Sequence, residues 1–129
     1  MARKIAALVY LLTGVLIGLG AFGHGAQADR LAAALTRSSA FDPGMAAVLL
    51  AVWYFVSGCM LVFGAVVIGT WWRVRKDGRA WFFASDAIGV FYVVAGMASV
   101  AGTGKPFFWV FTLFGALLLV ASLPLRRGA

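Results

Sequence analysis

Residues 45–79 read MAAVLLAVWYFVSGCMLVFGAVVIGTWWRVRKDGR. No charged side chain occurs from Met45 through Trp72, and then Arg73, Arg75, Lys76 and Arg79 follow in close order. A helix needs ~20 apolar residues to cross a hydrocarbon core ~30 Å thick. The stretch of about 45–70 exceeds that length and leaves room for tilt. Three more apolar stretches flank it, at about 5–23, 80–101 and 107–123, the last closed by Pro124. Phe107, Phe108 and Trp109 open the shortest one with the aromatic signature of a membrane interface.

Composition agrees. Of 129 residues, 64% are hydrophobic and 12% charged, with mean hydropathy +0.99. Ordinary soluble domains are ~45–50% apolar and ~25% charged. These values exclude a soluble globular domain, a disordered chain and a nucleic-acid binder. The net charge of +7 comes from basic residues clustered at the ends of the apolar segments, the pattern of a topology signal. The reading is an all-α membrane protein: one domain, 1–129, forming a four-helix transmembrane bundle of antiparallel hairpins.

Orientation follows from the basic residues. Arg3, Lys4, Arg73, Arg75, Lys76, Arg79, Arg126 and Arg127 fall on one side, and Arg30, Arg37 and Lys105 on the other. That excess places both termini in the cytoplasm and the chain in the cell membrane as a multi-pass protein, the inner membrane if the source is bacterial. Four crossings also return the chain to its starting side. The outer loop, 24–44, is expected to hold a short surface helix capped by Asp29, then a turn at Phe41–Gly44. A rival reading makes residues 1–28 a cleaved signal peptide, since Ala26-Gln27-Ala28 resembles a cleavage site. The first apolar stretch is longer than the usual ~7–15 residues of such a segment, which favours a retained helix.

Small residues fall in helical stripes. Gly14 and Gly18 form a GxxxG in the first segment, Gly58 lies on a line with Ala51 and Ala65 in the second, and Gly89 and Gly96 share a face of the third. Such stripes let helix backbones approach closely where lipid offers no hydrophobic drive. They are read as intra-subunit packing, with a homo-oligomer seam as the alternative.

Asp86 is the acid inside an apolar segment. Counted from residue 80 it sits on the order of 8–10 Å inside the boundary, where a charge costs a few kcal/mol unless paired or hydrated. Its proximity to the small stripe points it inward. With no basic residue inside any expected helix, its candidate partners are Tyr10 and Thr13 on the first segment, Tyr10 foremost, and Ser85 beside it. A polar path outward through Tyr92, Ser57 and Tyr54 would complete a coupling route. His24, the one histidine, could hold haem only with the His24 of a second subunit. Catalytic and metal sites are not expected, because there is no Glu, one His and one Cys, Cys59.

In size and span number the chain resembles the small multidrug transporters and the four-span fluoride channels. It lacks the first-helix Glu of the former and the Asn-rich and Thr/Phe-rich motifs of the latter, so neither family is assigned. The expected function is a non-catalytic integral membrane protein, accessory or structural, packing with itself or a partner within the lipid bilayer. A small dimeric proton- or cation-coupled transporter or channel using Asp86 is the alternative, its substrate unspecified. A redox subunit binding haem or quinone is the second alternative.

Overall fold

Every regular element among the described residues of the computed structural model is helical. Those residues are 1–38 and 41–126. Ser39 and Ala40 of the outer loop, and Arg127 from the basic count, lie outside them. Four helices are long and apolar enough to cross a membrane.

The first helix, α1 (Ala2–Gly25), has two unlike faces. Tyr10, Gly14, Ile17 and Ala21 are buried, whereas Leu8, Leu12, Leu16 and Leu19 form an exposed stripe. The 3.6-residue period sorts these residues, but leucines occupy the outward side that polar residues take in soluble helices. α2 (Ala28–Arg37) is the short helix expected in the outer loop. Asp29 lies in its first turn and does not cap it. Ala26 and Gln27 keep right-handed helical dihedrals between α1 and α2, so the extended residue that a side-chain cap requires is missing.

α3 (Pro43–Asp77) outruns its apolar stretch at both ends. Asp42 is extended and its Oδ1 accepts from Met45 N at 3.0 Å, with Pro43 in the first helical position. At the other end Gly78, at φ 71°, takes the left-handed conformation that closes the helix, and its N–H reaches the Val74 carbonyl. The 35 residues span ~52 Å, well beyond a hydrocarbon core. The surplus carries Arg73, Arg75 and Lys76 at one end, and α2 packs against the same helix.

α4 (Phe83–Thr103) starts three residues later than the apolar stretch suggests and stops at Gly104, again left-handed at φ 67°. A single 3₁₀ turn, Pro106–Phe108, leads into α5 (Trp109–Arg126). Pro124 does not close α5 as expected. It sits inside the last turn, which continues to Arg126. A proline there forfeits one backbone bond close to an end where carbonyls already lack partners, so the helix survives it.

α1 packs chiefly on α3, α4 on α5, and α1 joins the two pairs through α5. Both close pairings are made by glycine. A methyl group on Gly64 would lie 2.7 Å from Gly18 Cα, and one on Gly14 would lie 2.7 Å from Val67 Cγ1. On the second pair, a methyl on Gly89 would lie 2.9 Å from Leu119 Cγ, and one on Gly96 would collide with Thr112. Gly58, expected in the packing stripe of its helix, has open space beside it, and Gly64 makes the crossing instead. α3 and α4 meet mainly through rings, Phe63 lying edge-on to Phe91 and Tyr92 at 5.7 and 6.3 Å.

Candidate functional site

The polar side chains of the bundle gather at its two ends. At the first, α4 begins and α5 stops. Asp86 is in the opening turn of α4, one turn earlier in its helix than expected because α4 starts at Phe83. Its partner is Arg126, through an ion pair from the guanidinium to Asp86 Oδ2. Arg126 also donates to Ser122 Oγ at 3.1 Å and lies over the Phe82 ring, 5.2 Å from its centre. Each charge suits its helix end: the carboxylate sits at an N-terminus, the guanidinium at a C-terminus. The side chains remain 26% and 43% exposed, so the pair is partly screened.

Tyr10 is not the partner of Asp86. It is 1% exposed, edge-on to Phe82 at 6.0 Å, and its hydroxyl makes no hydrogen bond among the described residues. Ser85 and Thr70 lie beside that hydroxyl, and the charges of Asp86 and Arg126 act on it from farther off. The neighbouring hydroxyls are already committed: Ser85 donates to the Phe82 carbonyl at 2.9 Å, and Thr70 to Val66 at 2.9 Å. Thr13 likewise turns back to the Val9 carbonyl, at 2.8 Å, and offers nothing to Asp86. Short hydroxyl side chains on helices find these local carbonyls first.

The second cluster lies where α1 ends. The His24 ring stacks on Trp53 with centres 3.8 Å apart, and its Nδ1 is 2.9 Å from Ser57 Oγ. Trp53 Nε1 donates to the His24 carbonyl at 2.8 Å, and Gln27 N donates to the same oxygen at 3.1 Å. A carbonyl left free by the helix end thus receives two donors. Ser57 Oγ is 3.2 Å from the Trp53 carbonyl. When Ser57 donates to that carbonyl, Nδ1 carries the proton and Nε2 is the free acceptor. This histidine–tryptophan clasp ties α1 to α3, a role that sequence spacing did not reveal.

The remaining candidates do not form a route between the clusters. Tyr92 is buried among Phe63, Phe91 and Phe111, Ser57 belongs to the histidine clasp, and Tyr54 is exposed. Thr112 Oγ1 is buried without a hydrogen-bond partner among the described residues, and Cys59 is a half-buried free thiol. Among the described residues no three His, Cys, Asp or Glu side chains gather as a metal cluster. Sequence reasoning missed Arg126 as the partner of Asp86, because Pro124 was read as the helix end; the available signal was a basic residue two positions past a terminal proline. No protein-family model, curated protein or solved structure matches this chain.

Proposed function

We propose that the chain is a small, non-catalytic integral membrane protein that acts as an accessory or structural subunit, packing with itself or a partner. One observation carries this reading: the acid best placed to couple an ion, Asp86, is engaged by Arg126 of the same chain. An acid that binds and releases ions would have to give up this partner in each cycle. Two grooves open at the basic end of the molecule, and Asp86 lines neither. The exposed leucine stripe of α1, with Val52, Phe55 and Val62 on α3 and Val90 and Val94 on α4, supports insertion into lipid.

The order of contacts between α1 and α3 supports antiparallel hairpins. Gly14 faces Val67, Gly18 faces Gly64, Gly20 faces Met60, and Gly25 faces Ser57. The charge bias supports cytoplasmic termini, with Trp72 and Trp81, both exposed, as the aromatic belt beside the basic loop. Transport through Asp86 and a haem ligand at His24 stand as alternatives; the Arg126 ion pair weighs against the first, and the stacking of His24 on Trp53 gives the ring a structural role.

The test is flux in proteoliposomes under an imposed pH or potassium gradient, with the parent protein and Asp86→Asn side by side. The expected result is the same background leak for both. A flux present in the parent and abolished in Asp86→Asn would overturn the accessory reading in favour of a coupled transporter or channel. Reporter fusions after Gly78 and within the outer loop check topology, and an external Gly78 reporter would reverse the orientation.

A further inference from the structure

Where α1 begins and α3 ends, a groove of about 730 Å³ opens between the two helices, with Leu125 of α5 also in its lining. That volume lies within the ~300–1,000 Å³ usual for small-molecule sites. Its lining divides by chemistry. Arg3, Lys4 and Arg75 supply three cations, and Leu8, Leu11 and Val74 supply an apolar wall. Trp71 joins the two halves, with the Arg75 guanidinium over its ring at 5.6 Å. No acid lines the groove, and the ion pair found among the described residues, Arg126–Asp86, engages none of its three cations. A smaller groove of about 280 Å³, lined by Trp72, Arg75 and Lys76, adjoins it through Arg75. Three cations held together without a carboxylate repel one another, and an anion seated among them would relieve that repulsion.

We propose that this groove binds one anionic phospholipid, its phosphate among Arg3, Lys4 and Arg75 and an acyl chain along Leu8, Leu11 and Val74. The inference rests on the reading of the chain as a membrane protein. The position selects a lipid over a soluble phosphate. The cations lie where the apolar stretches of α1 and α3 give way to charge, the level of lipid headgroups, and the apolar wall runs from there along α1. The charge selects an anionic headgroup over a zwitterionic one, since a choline would bring a fourth cation to the site.

The experiment is native mass spectrometry of the full chain released from mixed micelles. Dioleoyl phosphatidylglycerol is compared with dioleoyl phosphatidylcholine, and with the water-soluble glycerophosphoglycerol headgroup. One retained phosphatidylglycerol per chain is expected, with phosphatidylcholine and the free headgroup retained far less. Lys4→Gln and Arg75→Gln, both at exposed side chains, should each lower retention about fivefold, the factor corresponding to ~1 kcal/mol per basic contact. Arg79→Gln, outside the groove, should leave retention within twofold. Equal retention of both lipids, equal binding of the free headgroup, or an equal loss in Arg79→Gln would overturn the site. Alkaline extraction of phosphatidylcholine vesicles containing the protein separates the two readings: release from the vesicles defeats the membrane reading itself, whereas firm insertion without anionic preference defeats the groove alone.

Discussion

Replacing Gly64 by alanine should damage the bundle far more than replacing Gly18, although the two glycines face each other. The added methyl on Gly64 would stand 2.7 Å from Gly18 Cα and N and 2.9 Å from the Gly14 carbonyl oxygen, all backbone atoms that cannot rotate aside. Restoring an ordinary separation of ~3.5 Å would part α1 and α3 by about 0.8 Å. A gap of that size forfeits a quarter to a half of each dispersion contact along the seam. Overpacking typically costs ~1–3 kcal/mol, and the rigid neighbours put Gly64→Ala near the top of that range. The corresponding fall in melting temperature is on the order of 10 °C. In Gly18→Ala the methyl meets Gly64 Cα at 3.8 Å, an ordinary contact, so the variant should match the parent or gain up to ~1 kcal/mol from a stiffer unfolded chain. Intrinsic tryptophan fluorescence in detergent micelles reads both melts. Equal melting of the two variants would refute the crossing geometry, because it would mean that neither glycine lies at a backbone contact.

The Asp86–Arg126 pair should be worth about 0.5–1 kcal/mol, discounted for its partial exposure. Asp86→Asn and Arg126→Gln should each cost about 1 kcal/mol, and the double variant less than their sum, measured as a double-mutant cycle in the same melts. Strict additivity would mean the two side chains do not interact. Tyr10→Phe should leave stability unchanged or raise it by up to ~1 kcal/mol, since it removes a buried hydroxyl with no hydrogen-bond partner among the described residues. A loss of more than ~1 kcal/mol would show that the hydroxyl is bonded after all.

The helical class and the four apolar segments were legible because they rest on local properties: run length, hydropathy, and the charges that bound each run. Asp42, Pro43, Gly78 and Gly104 likewise act on their own few residues, which is why the turn into α3 could be read directly. Partners could not be read in this way. Asp86 meets Arg126 across forty positions of sequence, and the pairing depends on α4 beginning at Phe83 and α5 running through Pro124. Periodicity identified the glycine stripe of α1 but chose Gly58 over Gly64 on α3, because a stripe has a direction only once the facing helix is in place. Nothing local to His24 points to Trp53 and Ser57, which stand 29 and 33 positions away in sequence. The groove between Arg3 and Arg75 arises from two charge clusters that are remote in sequence and adjacent in space. Hydropathy and charge specify which segments form helices and where they end; only the packing of one helix on another decides which side chains become neighbours.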